Sequence, residues 1–139
     1  MIMNEEQMLA DLGDQAFDKG KENIANAQYF TGKSYVNNLA STPTRVTNVV
    51  FEPGSINDWH IHHGMSQILL VTGGTGWYQE WGKKPQKLKK GDVVTAVDGV
   101  KHWHGASKDS YFAHIAISEA NPDGWTEWLE KVVDYDELN

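Results

Sequence analysis

The six histidines of the chain all lie between positions 60 and 114, and five of them fall into two short clusters. The first cluster contains His60, His62 and His63, and the second contains His102 and His104. A neutral imidazole is a common metal ligand because its lone pair carries no charge that must be desolvated. Histidines concentrated in this way therefore indicate a metal site.

Strand geometry predicts which of these side chains can meet. Residues i and i+2 of a strand point to the same face, about 7 Å apart, so His60 and His62 can share one ion at about 2.0–2.2 Å. Gln67 follows a short loop and can return to the same point. His102, from a distant segment, would complete a four-ligand site. The alternative is that the three histidines are buried, hydrogen-bonded structural residues.

The elements that position these residues are short, strand-like segments separated by turn signals. They are predicted at residues 29–39, 45–51, 59–62, 67–72, 77–81, 92–97 and 111–118, with the His102 segment between the last two. Many short strands at this spacing predict an all-β fold, built as a sandwich or barrel of antiparallel strands.

Both ends of the chain carry helical signals. Residues 4–12 are predicted to form a short helix that Asn4 caps, with Gln7 three residues later as in a capping box. Near the other end, apolar side chains at i, i+3, i+4 and i+7 form one face of a helix, namely Trp125, Trp128, Leu129 and Val132. With Asp123 as its cap, this segment predicts a closing helix on the outside of the barrel.

Composition excludes several classes of protein. A net charge of −7 and a pI near 5.2 argue against a nucleic-acid-binding surface. The absence of cysteine excludes thiolate metal sites and cysteine nucleophiles. No apolar run approaches the length that spans a membrane, and no signal peptide is visible. A cytoplasmic protein that does not bind membranes is therefore expected.

The spacing of the histidine segments resembles the two motifs of the cupin family. The first motif corresponds to Gly54-x5-His60-x-His62-x4-Gln67-x5-Gly73, and the second to Gly91-x7-Gly99-x2-His102. The chain is similar to small single-domain cupins of the cupin 2 type, among them cupin-type hydroxynitrile lyases and carboxymuconolactone-decarboxylase-associated cupins.

The resemblance implies a double-stranded β-helix, a jelly-roll barrel with short N- and C-terminal helices. One domain would span residues 1–139, with a helix and arm over 1–40, the barrel over 41–119 and the closing helix over 120–139. It also implies one divalent ion held by His60, His62, Gln67 and His102. Manganese is preferred, but spacing does not discriminate against iron, nickel or zinc.

Two positions depart from the family pattern. Gln67 stands where many cupins carry glutamate, so three neutral imidazoles and a neutral amide would leave the ion its full charge. That charge should weaken metal retention and increase the pull on an anionic oxygen. The second departure is Val97-Asp98-Gly99, in place of the usual Pro-x-Gly, which should alter only the turn before His102.

Two further histidines are candidate catalytic bases. His104 lies two residues after His102 and should face the same cavity, and the resemblance places His114 at the cavity wall. The alternative for each is a core histidine. Residues on the same strand faces are candidate substrate contacts, namely Arg45, Thr47, Val49, Phe112 and Ser118. For Arg45, the only arginine, an exposed strand-end charge is an equally good interpretation.

The sequence thus predicts a metal-dependent enzyme that acts on a small molecule, of a redox-neutral lyase type. A hydroxynitrile-lyase-like reaction is favoured, with a decarboxylase or isomerase as a close variant. The alternatives are an iron-dependent dioxygenase and a non-catalytic ligand-binding cupin. The resemblance also implies a homodimer, in which the strand at 29–39, otherwise an unpaired edge, would extend the partner's sheet.

Overall fold

A computed structural model describes residues 4–138, so the predicted domain ends at 1–3 and 139 lie outside the described residues. Within this range one α-helix, α1 (Glu5–Leu12), precedes twelve strands, and two 3₁₀ turns cover Ala27–Tyr29 and Tyr135–Glu137. The strands are β1 (Lys21–Glu22), β2 (Phe30–Thr31), β3 (Ser34–Ala40), β4 (Thr44–Phe51), β5 (Ile56–Asn57), β6 (His60–His63), β7 (Gln67–Glu80), β8 (Gln86–Lys89), β9 (Val93–Ala96), β10 (Lys101–Ala106), β11 (Phe112–Glu119) and β12 (Trp125–Trp128).

The strands form one curled antiparallel sheet in the order β1-β3-β4-β11-β7-β10-β5-β2. Strand β7 gives the sheet its curl, because its first half pairs with β11 and β9 and its second half with β10 and β8. The two segments predicted at 67–72 and 77–81 are therefore one bent strand. The main core lies inside the curl and includes Phe51, Leu69, Leu88 and Phe112. The all-β prediction is confirmed.

A bulge marks the bend of β7. His114 of β11 lies opposite Val71, whereas Ala113 lies opposite Gly73, so Thr72 is an extra residue on β7. Gly74 follows with a φ of +69°, a backbone conformation that disfavours residues with a Cβ. A Cβ at this position would lie 1.7 Å from the carbonyl oxygen of Tyr111. The bend therefore requires glycine for both conformation and space.

The predicted N-terminal helix is confirmed as α1, and its cap is half of a capping box. The Asn4 side chain accepts a hydrogen bond from the Gln7 backbone N–H at 2.8 Å. The Gln7 side chain donates to Asp11 instead of reaching back to Asn4. The last turn of α1 lies against β7 at Gly73, where a Cβ would come within 2.4 Å of the Leu12 carbonyl oxygen.

The predicted C-terminal helix is wrong, because Trp125–Trp128 forms strand β12 and pairs antiparallel with β6. The outer edge of β6 carries backbone polar groups that need partners, and tryptophan and threonine favour strands. Asp123 therefore caps no helix. Leu129 and Val132 do pack on a core cluster as expected, but from irregular chain. The sheet thus extends beyond the predicted barrel range of 41–119.

The strand predicted at residues 29–39 was expected to be an unpaired edge, but it has partners on both sides. Strand β3 pairs with β4 along most of its length, and on its other side Tyr35 and Val36 face β1. The edge of the sheet is therefore β1 and not the whole of β3. No helix among residues 4–138 is long and apolar enough to cross a membrane.

The bend of β7 can be tested with two glycines that share a positive φ but differ in the space around them. Gly74→Ala should lower the free energy of unfolding by about 2–4 kcal/mol, since a left-handed residue and a steric clash both oppose it. Gly82 has a φ of +83° with nothing near its missing Cβ, so Gly82→Ala should cost only about 1 kcal/mol. Urea unfolding measures both, and equal losses would contradict the steric role of Gly74.

Candidate metal centre

Three buried histidines converge where β6 lies between β10 and β12. His60 is opposite His102 of β10 on one side and Trp128 of β12 on the other, and His62 is opposite Thr126. One ligand nitrogen from each of His60, His62 and His102 lies within 4.8 Å of the other two. The structure thus brings together the three imidazoles that the sequence predicted as metal ligands.

Backbone carbonyl groups fix two of these rings. His60 Nδ1 lies 2.7 Å from the carbonyl oxygen of Asp58, and His102 Nδ1 lies 3.1 Å from that of Val100. A carbonyl only accepts, so Nδ1 carries the proton in each ring and Nε2 keeps its lone pair. His102 Nε2 is buried without a hydrogen-bond partner among the described residues. Such anchoring of the second nitrogen is typical of histidines that bind metals.

His62 is held by side chains instead. Its Nδ1 lies 3.0 Å from the Thr126 hydroxyl oxygen, and its Nε2 lies 3.2 Å from the amide oxygen of Gln67. Because a hydroxyl both donates and accepts, Thr126 supports either tautomer of His62. With Nδ1 protonated, Nε2 becomes free to bind an ion beside the Gln67 oxygen. Gln67, the predicted fourth ligand, therefore lies next to the histidine cluster.

The electrostatics of the cluster suit a cation. Burial lowers the pKa of His62, and burial together with the neighbouring imidazoles lowers the pKa of His60 well below its usual value. Burial lowers the pKa of His102 to about 4. All three rings are therefore neutral near pH 7 and offer lone pairs without repelling an ion. This donor set, three nitrogens and an amide oxygen, fits the divalent metal that the cupin motifs imply.

The cluster borders a cavity of about 380 Å³ inside the curled sheet. Four of the predicted substrate contacts, Arg45, Thr47, Val49 and Ser118, line this cavity. Phe112 does not line it: its ring packs in the main core, with its centroid 5.6 Å from that of His114. The strand period thus placed Phe112 on the correct face but did not predict how deeply it lies.

His104 lines the cavity and has a fixed tautomer. The Asn57 side-chain oxygen accepts the His104 backbone N–H at 2.8 Å, so its amide nitrogen must face His104 Nε2, at 3.3 Å. Nε2 therefore accepts, and the proton lies on Nδ1, which is buried without a partner among the described residues. Burial, and after it the neighbouring imidazole of His114, lowers the pKa of His104 well below its usual value.

His114 lies beside His104 with a ring-centroid distance of 5.1 Å in an edge-to-face arrangement. Neither of its ring nitrogens has a hydrogen-bond partner within the described part of the chain. Burial lowers the pKa of His114 to about 4, so the ring is neutral near pH 7. One nitrogen of a neutral imidazole carries a free lone pair. His114 is therefore a potential proton acceptor at the cavity wall.

Three residues of the site escaped the sequence analysis. Thr126 and Trp128 were assigned to a helix, whereas as alternate residues of β12 they face the cavity, with the Trp128 ring 4.7 Å from His60. The period-2 pattern of Trp-Thr-Glu-Trp was the available signal, but the helical pattern over a longer window concealed it. Asn57 carried no signal, since its role depends on the pairing of β5 with β10.

Known proteins share this architecture. A protein named (R)-mandelonitrile lyase from Granulicella tundricola is 37% identical over 127 residues, which cover 88% of this chain and 92% of that protein. The structure of a cupin-like protein from Thermotoga maritima superposes with a TM-score of 0.82 at 42% identity, covering 89% of this chain and 96% of that one.

A second Thermotoga maritima structure, described as a predicted oxalate decarboxylase, gives a TM-score of 0.63 at 22% identity and covers 73% of this chain and 93% of that one. At that identity the likeness concerns the fold alone. The cupin-domain family profile matches residues 47–117, a range that contains the three clustered histidines, Gln67, His104 and His114. Since this range is about half of the chain and the mandelonitrile lyase aligns over most of both proteins, the chain belongs to the cupin family.

Proposed function

We propose that this cupin is a metal-dependent, redox-neutral lyase that cleaves a carbon–carbon bond in a small hydroxyl-bearing substrate, as a hydroxynitrile lyase does. The observation that carries the proposal is the placement of the His60, His62 and His102 cluster beside His114, which has no hydrogen-bond partner in the described chain. The mandelonitrile lyase relative, similar over most of its length, supports the reaction class.

The residues of the chain have distinct parts in such a reaction. A divalent ion held by the three histidines and Gln67 would supply a Lewis acid that lowers the pKa of a substrate hydroxyl. His114 would accept the hydroxyl proton, because it has a free lone pair, whereas the Nδ1–H of His104, buried without a partner among the described residues, suits a donor. With a cyanohydrin, the carbon–carbon bond breaks, its electron pair leaves with cyanide, and His114 returns the proton to give hydrogen cyanide and an aldehyde.

The cavity favours a substrate with an apolar part. Phe30, Phe51 and Trp128 form an aromatic wall, and Val49 adds aliphatic surface. A volume of about 380 Å³ lies in the range of small-molecule sites, about 300–1,000 Å³. The aromatic wall would exclude water from the reacting atoms and orient the carbon skeleton.

Manganese is the ion that we propose first, because the resemblance to the cupin family favours it and the amide oxygen of Gln67 is a ligand that suits it, while imidazole nitrogens also accept iron, nickel and zinc. The same ligands suit ferrous iron, so a dioxygenase is the second candidate, and uptake of oxygen during turnover would distinguish it. A cupin that binds a small ligand without catalysis is the third candidate. It predicts that ligand binding survives in His104→Ala and His114→Ala.

One set of variants tests the metal site and the base together, with elemental analysis for bound metal and cyanide release from mandelonitrile for activity. His114→Ala should keep the ion and lower kcat by about 10²- to 10⁴-fold, the usual loss of a general base. His60→Ala/His62→Ala should lose both the ion and the activity. Wild-type activity should fall as the pH approaches about 4, where His114 becomes protonated.

The control is His63→Ala, which removes a half-exposed histidine that faces Glu127 and not the cavity. This variant should keep both the ion and the activity. A wild-type protein that takes up no manganese, iron, nickel or zinc on incubation would contradict the proposal. Full activity of His114→Ala would show that His114 is not the general base.

We also propose a homodimer in the cytoplasm, with a small-molecule substrate and no nucleic-acid partner. The edge strand β1 and the exposed apolar side chains of Ile24 and Val36 beside it would pair with a second copy. A sedimentation experiment should then give about twice the 15.6 kDa mass of one chain. A monomer at all accessible concentrations would contradict this assembly.

A further inference from the structure

The cavity differs from the rest of this acidic protein in the sign of its charge. The chain has 19 Asp and Glu against 12 Lys and Arg. Among residues 4–138, however, no Asp or Glu lines the cavity, and Arg45 is the one charged residue in the described part of its wall. Two other surface depressions mix both signs, since one contains Asp11 and Asp109 with its lysines and the other contains Glu5 and Glu52 with Lys19. The cavity is therefore set apart by its lack of carboxylates.

Arg45 has no counter-ion of its own. Within residues 4–138, no hydrogen bond or ion pair involves its guanidinium group. Arg45 is exposed near the start of β4, as the strand-end interpretation expected, and it also lines the cavity. A carboxylate in the cavity can therefore reach the five N–H donors of its guanidinium group.

Strand register places Arg45 in the same row across the sheet as Gln67, the proposed fourth metal ligand. Arg45 of β4 lies opposite Ser118 of β11, and Ser118 lies opposite Gln67 of β7. Residues directly opposite one another point to the same face of a sheet, and all three line the cavity. Two strand spacings, about 10 Å in all, separate the backbones of Arg45 and Gln67. A small ligand can therefore contact the metal centre at one end and the guanidinium at the other.

From this arrangement we infer that the substrate is a small carboxylic acid with an oxygen on the adjacent carbon, and that Arg45 binds its carboxylate. The inference rests on the proposed function, because it names the substrate class of that site. The carboxylate pairs with Arg45, the Ser118 hydroxyl adds a hydrogen bond, and the second oxygen points to the cluster of His60, His62 and His102. Arg45 is thus a specificity-determining residue that selects anions over neutral molecules of the same shape.

Acids and their amides test this selection, because they share a shape and differ in charge. The probes are mandelate and lactate against mandelamide and lactamide, with binding to the manganese-loaded full-length protein measured by calorimetry. Wild type should bind each acid about tenfold or more tightly than its amide, as a charge-assisted hydrogen-bonded pair predicts. Arg45→Gln should abolish the preference, and Arg45→Lys should retain part of it.

Lys33→Gln is the matched control, since it removes one positive charge at an exposed position outside the cavity. It should leave the preference for acids unchanged. Equal affinity of wild type for acid and amide, no binding of either acid, or equal losses in Arg45→Gln and Lys33→Gln would each overturn the inference.

The same measurement on metal-free protein separates this inference from the proposed function. Arg45 is not a metal ligand, so the preference for acids should persist without the ion. A protein that selects acids through Arg45 but takes up no divalent ion would refute the metal-dependent lyase and leave the substrate class standing. A protein that cleaves mandelonitrile without selecting acids would refute the substrate class and leave the lyase reaction standing.

Discussion

Burial of three imidazoles around a common point is the constraint on which the rest of this structure depends. Pairing of β6 with β10 and β12 brings His60, His62 and His102 together. Backbone carbonyl groups then hold the Nδ1 protons of His60 and His102. Burying His102 Nε2 without a partner among residues 4–138 costs free energy. A bound divalent ion would offset this cost, because the cluster offers lone pairs that could hold a cation.

The same burial keeps the cavity histidines uncharged. Burial depresses the pKa of the three cluster histidines and of His104 and His114, so none of them repels a cation near pH 7. Because no carboxylate among the described residues lines the cavity, an ion would keep its full charge and Arg45 would add to it. Metal affinity is thereby weakened and attraction for an anionic group is strengthened, which links the ligand set to the substrate class that we infer.

The sequence predicts the parts of this site that depend only on the alternation of side chains along a strand. His60 and His62 on one strand face, and Thr47 and Val49 on another, follow from the alternation of strands, and the spacing of Gln67 resembles a known motif. Thr126 was missed because the strand that carries it exists only through pairing with β6, a long-range contact that overrides the helical pattern of its own sequence.

The position of a side chain relative to the cavity and the tautomer of a histidine also cannot be predicted from the alternation of residues along a strand. Phe112 shares a strand face with His114, but it packs in the main core and does not line the cavity. The tautomer of His104 depends on Asn57, which reaches it from a different strand.

Anomalous diffraction from crystals grown with manganese would test the central claim most directly, because it locates the ion among the atoms of the protein. One peak is expected at about 2.0–2.3 Å from Nε2 of His60, His62 and His102, with the Gln67 amide oxygen as the fourth ligand. The Nδ1 atoms should keep their contacts with Asp58, Thr126 and Val100. No peak at this point, or an ion bound through Nδ1, would contradict the account.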